Sequence, residues 1–181
     1  MVVTQANLTL RADDQARTYG AANPGTGNVT ITSGQLYNSD ALSTATVTSA
    51  ANATSNVGNY TLTASNQTLS SGLVGNYNLS YVDGNLQVTQ ANLTITANST
   101  STQYGLGTTL GTTAFTSSGL QNNETIGNVV LASAGSANTT NVGTYNITAS
   151  GASNGTFNTA NYNISYCLLY TSPSPRDRTR S

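Results

Sequence analysis

The chain has no histidine, no tryptophan and no lysine, a single cysteine, and charged residues at only 6 % of its 181 positions. Each shortage removes a class of function. With no imidazole, no amine side chain and one thiol at Cys167, hydrolytic and transfer chemistry loses its usual proton acceptors and nucleophiles. One cysteine builds no disulfide framework. No run approaches the roughly 20 apolar residues of a membrane-spanning helix. The opening Met1-Val2-Val3-Thr4 lacks the basic stretch and apolar run of a secretory signal.

What remains is rich in Thr, Asn, Ser, Ala and Gly, with Val and Ile recurring and 36 % hydrophobic residues. Disordered chains favour Pro, Glu and Lys and avoid β-branched residues. Here proline occurs three times and β-branched residues are frequent, a composition that suits pleated, half-buried surfaces. The predicted class is all-β.

The last fifteen residues stand apart. Cys167 to Ser181 hold the only Cys, two of the three Pro, and Arg176, Arg178 and Arg180 out of five basic residues. Removing them with Asp177 leaves two basic and five acidic residues, so no basic patch suggests nucleic acid as a partner. Cys167 to Asp177 back-translates to a stretch that resembles the transposon-end adapter of sequencing libraries. Residues 167–181 are therefore expected to be an artefactual, unstructured tail and are excluded from the fold.

Before the tail the sequence repeats. Val3 to Thr9 recurs as Val88 to Thr94, an offset of 85 residues. The same offset carries Tyr19-Gly20 onto Tyr104-Gly105, Ser33-Gly34 onto Ser118-Gly119, Asn56 to Tyr60 onto Asn141 to Tyr145, and Asn76 to Tyr81 onto Asn161 to Tyr166. It is expected to hold without a gap. A period this long exceeds that of thin solenoids and can enclose a core of its own. Two modules are expected, 1–89 and 90–166, the second without its final strand.

Strands are predicted at Asn7–Ala12, Asn28–Thr32, Ala45–Thr48 and Tyr60–Ala64, with counterparts in the second module. Asn56–Asn59 and Asn141–Thr144 read as turns. Tyr77, Leu79 and Tyr81 alternate with Asn76, Asn78 and Ser80, and Leu86 and Val88 with Asn85 and Gln87. Asp83-Gly84 between them predicts a two-residue type I′ hairpin, whose loss would leave Asn161–Tyr166 as an unpaired edge. Little or no helix is expected, a short turn near Asp40–Ser43 being the main exception to it. At the joint Leu86 and Val88 are even-numbered and Leu93 and Ile95 odd, so either the strand changes the core it faces or a bulge intervenes. So short a linker predicts an elongated rod, each module adding roughly 30 Å.

The Tyr-Gly pair, the Asn-Val-Gly-x-Tyr turn and the ending Asn-Tyr-x-(Leu/Ile)-Ser-Tyr, continued by Val82-Asp83-Gly84-Asn85-Leu86 in the first copy, resemble the bacterial MBG domain of the Tyr-Gly type. The resemblance implies small β-rich, β-grasp-like modules in tandem arrays of filamentous-haemagglutinin-type surface adhesins. It implies export and cell-surface display, and it names no ligand.

Chemistry was sought among the carboxylates Asp13, Asp14, Asp40, Asp83 and Glu124. None of Asp13, Asp14 and Asp40 recurs at the 85-residue offset, where Asn98, Ser99 and Thr125 stand. Asp13-Asp14 reads as a solvated turn, with a calcium site completed by backbone carbonyls as the alternative. Tyr60, Tyr77, Tyr81, Tyr145, Tyr162 and Tyr166 read as core residues with hydroxyls at the rim, the alternative being a carbohydrate-stacking platform. Asn-x-Ser/Thr sequons, including those at Asn7, Asn52, Asn66, Asn92, Asn138 and Asn163, arise readily by chance in so Asn- and Thr-rich a chain. No catalytic, cofactor-binding or metal-ligating residue is assigned, and no cofactor. The expected function is a non-catalytic stalk or spacer whose partners are neighbouring repeats. The alternative is a module that binds a host glycan or surface protein. An ice-binding solenoid built on Thr rows fits the single long period poorly.

Overall fold

The computed structural model describes residues 1–24 and 28–168, and all structural statements below concern those residues. The chain divides into two compact units, Met1–Gln90 and a second beginning at Ala91. The architecture is all-β, as composition predicted. The only helical elements among the described residues are single 3-10 turns at Val74–Asn76, Ala134–Ser136 and Thr159–Asn161. No helix is long and apolar enough to cross a membrane.

The first unit contains β1 (Ala6–Ala12), β2 (Gln15–Thr18), β3 (Val29–Gly34), β4 (Ala41–Leu42), β5 (Thr46–Thr48), β6 (Gly58–Ser65), β7 (Leu69–Ser71), β8 (Tyr77–Val82) and β9 (Gly84–Thr89). The six strands read from the sequence are β1, β3, β5, β6, β8 and β9. The short β2, β4 and β7 are not predicted: two to four residues carry little alternation, and none of the three is β-branched throughout as β5 is. Residues Asp40–Ser43 hold β4 rather than a turn. Reversal occurs just before it, where Asn38 and Ser39 take positive φ of 53° and 64°, a conformation that Asn tolerates better than most residues.

The strands form a three-stranded sheet, β3-β1-β8, a four-stranded sheet, β2-β9-β6-β5, and the small pair β4-β7. Two strands belong to both larger sheets in succession. β1 continues into β2 across Asp13-Asp14, and β8 into β9 across Asp83. They run parallel with Ala6 opposite Tyr77 and Thr18 opposite Thr89, an offset of 71 residues kept on both sides of the break. Burial changes phase at the same level. Leu8, Leu10 and Ala12 are buried before the break and Arg17 and Tyr19 after it, while Tyr77 gives way to Leu86 and Val88.

This crossing overturns the Asp83-Gly84 hairpin. β8 and β9 do not pair; β8 lies beside β1, and β9 lies between β2 and β6. Neither Asp83 nor Gly84 has the positive φ that a type I′ turn requires. Glycine serves close approach instead. A Cβ at Gly84 would lie 2.3 Å from the Ala12 carbonyl oxygen, where the two strands cross together. The edge expected at Asn161–Tyr166 has a different origin as well, because β8 is already an edge in the first unit.

The core has two lobes. Leu8, Leu10 and Tyr77 pack with Ile31, Leu36, Leu42, Leu69 and Leu79. Ala12, Ala51, Leu62, Ala64 and Leu86 pack with Val47 and Tyr60. Val29 and Tyr81 touch both lobes, so the two sheets close over one continuous interior. At about 25 cal/mol per Å² of apolar surface removed from water, such burial is the main stabilising force. Threonines add to it across the strands, with hydroxyl oxygens 3.0 Å apart between Thr48 and Thr63 and between Thr44 and Thr68.

The second unit contains β10 (Ala91–Ala97), β11 (Phe115–Ser118), β12 (Ile126–Ala132), β13 (Thr148–Gly155) and β14 (Tyr162–Cys167). β11-β10-β14 repeats β3-β1-β8, and β10 pairs with β14 in parallel at the same offset of 71. The Ser-Gly pairs share one cause: a Cβ at Gly34 or Gly119 would meet a backbone oxygen, of Asn7 or Asn92, at 2.2 Å, and both have positive φ. Gly20 and Gly105, of the two Tyr-Gly pairs, also have positive φ. Of the predicted Asn-Val-Gly turns only a bend remains, at Val57 in the first copy and Val142-Gly143 in the second, and β6 already begins at Gly58. Cys167, assigned to the tail on sequence, is the last residue of β14 opposite Thr96; 169–181 lie outside the described residues. The phase change at the joint coincides with the passage from one unit to the next, with Gln90 alone between β9 and β10.

Candidate functional site

Three features gather the polar chemistry of this chain. The first is a set of tyrosine latches. In β8 the buried Tyr77 donates its hydroxyl to an Asp40 carboxylate oxygen at 2.7 Å and accepts the Tyr37 N–H at 2.9 Å. Donation from the Tyr37 amide favours the phenolate, but the hydrogen bond to Asp40, burial and the carboxylate charge outweigh it, and the phenol is raised above 10.0. In the second unit Tyr162 donates to Glu124 and accepts the Gln121 N–H at 2.9 Å.

This correspondence corrects the gapless alignment. Tyr77 maps to Tyr162 at 85 residues, but Tyr37 and Asp40 map to Gln121 and Glu124 at 84. The positive-φ pair Asn38-Ser39 likewise maps to Asn122-Asn123. Strand pairing shows the same slip, with Val47 opposite Ala64 and Leu131 opposite Ala149. One residue is missing between Gly119 and Gln121, and Glu124 stands where Asp40 does, three residues after the amide that bonds the tyrosine. Asp40 therefore has a counterpart, which the fixed offset concealed.

Four further tyrosines close loops in matched pairs. Tyr81 and Tyr166 accept the N–H groups of Gln67 and Ala152, at 3.0 and 2.9 Å. Tyr60 and Tyr145 donate to the carbonyls of Asn56 and Asn141, at 2.8 and 3.0 Å. The hydroxyls act as fasteners, but of the six tyrosines expected in the core only Tyr77 and Tyr162 are buried, and Tyr145 and Tyr166 are exposed.

The second feature is Asp13-Asp14 at the strand crossing. Asp14 accepts from Arg11 at 2.6 Å and from the Asn85 N–H at 2.8 Å, and Asp13 accepts the Thr30 hydroxyl at 2.6 Å. The Asn85 amide, then the Arg11 guanidinium, hold the Asp14 carboxyl below 3.8. These carboxylates stitch β1 to its neighbours. Among the described residues no three His, Cys, Asp or Glu side chains cluster as a metal site would require.

The third feature is a groove of about 350 Å³ in the second unit, between residues 99–104 and 140–147. At the matching place in the first unit β9 lies between β2 and β6. The two units differ most here. Tyr19 is 4 % exposed and its counterpart Tyr104 is 64 %; Val57 is half-buried and Val142 is 91 % exposed. Sequence reasoning recognised the absent strand but not the groove, because a strand's neighbours become visible only once its pairing is known.

No curated protein and no solved structure matches the chain. The MBG domain (YGX type) matches it twice, over residues 8–87 and 93–167, each match running from the first long strand to the region of the last. With both matches falling on units that share one three-stranded sheet, β3-β1-β8 and β11-β10-β14, the chain belongs to the MBG domain (YGX type) family and carries two tandem copies of that domain.

Proposed function

We propose that this chain is a non-catalytic segment of a bacterial surface adhesin, in which the repeated modules act as a spacer that holds a distal binding region away from the cell. The observation that carries this reading is the length of the joint: one residue, Gln90, separates the last strand of one module from the first strand of the next. A linker that short has no coil to lengthen or collapse, so each added copy contributes a fixed increment. The polar groups support the same reading, since the phenols and carboxylates described above are spent on holding loops and strands together. Family membership favours extracellular display, and the other repeats of the parent chain would be its immediate partners.

Small-angle scattering from chains of two, four and six copies tests this. The expected maximum dimension rises linearly with copy number, by roughly 30 Å per module. Growth as the square root of copy number, the behaviour of beads on flexible tethers, would refute it. The second reading, a module that itself binds a host glycan or protein, predicts saturable binding by the two-module chain on glycan arrays.

A further inference from the structure

We infer that Asn52 is a site of N-glycosylation, whose side-chain amide is set by its own turn to take a sugar from a glycosyl diphosphate. Asn-x-Ser/Thr sites are too frequent in this chain for the motif alone to mark one of them, and the geometry of the amide separates them. Asn52 Oδ1 accepts the Thr54 N–H at 3.0 Å and the Thr54 hydroxyl at 2.7 Å. A backbone N–H only donates, so the oxygen end of the amide is fixed. The residue is exposed, and no hydrogen bond among the described residues uses its Nδ2. The turn itself is anchored: the buried Arg17 donates to the Asn52 carbonyl at 2.5 Å, and the Asn52 N–H donates to the Ser55 hydroxyl at 2.9 Å.

An amide nitrogen is a poor nucleophile because its lone pair is shared with the carbonyl. Removal of an Nδ2 proton by a base of the transferase shifts negative charge onto Oδ1, where the two Thr54 donors already point, and donors fixed in advance stabilise charge as it develops. Nδ2 then bonds to the anomeric carbon of the sugar. The bond from that carbon to the phosphate oxygen breaks, and the diphosphate leaves with the electron pair. Thr54 acts through its hydroxyl, which serine would also supply.

At the other sites the same groups are engaged differently. Asn7 pairs with Asn78 across β1 and β8, and Asn92 with Asn163 across β10 and β14, amide to amide. The threonines two places after Asn66 and Asn138 donate to the carbonyls of Thr44 and Ala134 and not to the asparagine. The second unit also supplies an internal control. Its turn has the same shape, the Thr140 N–H donating to the Ala137 carbonyl as the Ser55 N–H does to that of Asn52. Alanine thus stands in the place of Asn52, with Asn138 one residue further on, and Thr102 stands in the place of Arg17.

The test is glycosylation of the folded full chain in two arms, read by intact mass and by fragmentation mapping. One arm uses UDP-glucose with a soluble sequon-reading transferase, the other a polyprenyl-diphosphate oligosaccharide with a membrane oligosaccharyltransferase, and the arm that labels the chain names the carrier of the donor. Asn52 should be modified at least about tenfold faster than Asn138 and Asn66. Asn52→Gln should remove that product, and Thr54→Ser should keep it. Synthetic peptides of residues 48–58 and 134–144, outside the folded turn, should react within about threefold of each other. Labelling of the folded chain in neither arm, or equal labelling of Asn52 and Asn138, overturns the inference. So does a tenfold preference already present in the peptides, which would make local sequence and not the turn the selector. None of these outcomes depends on spacing per module, so this inference and the spacer reading fail separately.

Discussion

Tyr77 shows how a single hydroxyl can fix a loop. Its phenol joins the Tyr37 amide to the Asp40 carboxylate across a loop that already uses two positive-φ residues. Removing it leaves the Tyr37 N–H and the Asp40 carboxylate without this partner, both in part-buried hydrogen bonds. Tyr77→Phe should cost about 1–3 kcal/mol, read as a lower urea midpoint for the first unit, and Tyr162→Phe should act likewise on the second. A midpoint unchanged in both variants would mean that the loops hold themselves. Gly84 is the complementary case: Gly84→Ala places a methyl against the Ala12 carbonyl and should lose about 1–3 kcal/mol or more. Asp14 gives a pH signature. Its folded pKa is depressed, so its contribution is complete above the unfolded value near 3.8 and disappears as pH falls further. Urea unfolding followed from about pH 5 to about pH 2 should show an acid loss that is smaller in Asp14→Asn. The effect is modest, because Asp14 is 57 % exposed and solvent screens it.

At the level of the strand, what could be read in advance depended on length and on locality. β1, β3, β6, β8 and β9 were legible because alternating side chains recorded which face was buried, and the three-residue β5 because its Thr46-Val47-Thr48 run is β-branched throughout. The pairing of β8 and β9 was not legible. Asp83-Gly84 has the residue types of a tight turn, and only the distant Ala12 backbone reveals that the glycine serves a crossing. The match of Asp40 with Glu124 was hidden for a related reason: a one-residue deletion breaks a fixed spacing, while the hydrogen bond to the partner tyrosine survives it. β9 is the most consequential strand, since it alone pairs with β2 and lies beside β6. Leu86→Ala, at a fully buried position, should cost about 2–5 kcal/mol. Exchange at Gln15–Thr18 should accelerate with it, while β1 keeps its protection through β3 and β8. Equal acceleration throughout the unit would show that the two lobes unfold together.

Across the whole chain, the two units should differ in stability although they share a family. The first has β9 packed between β2 and β6; the second has an exposed groove at that position. Hydrogen exchange during urea unfolding should show the second unit opening at lower urea than the first, and the reverse order would contradict the role assigned to β9. The substitution of aspartate by glutamate, paired with a loop shortened by one residue, has a wider consequence. What the two copies have in common is the tyrosine-to-carboxylate fastening and not the letters that compose it. Adjacent copies can then diverge in sequence while keeping the same fastening, and dissimilar neighbours are poorer substrates for the inter-domain misassembly to which tandem arrays are prone.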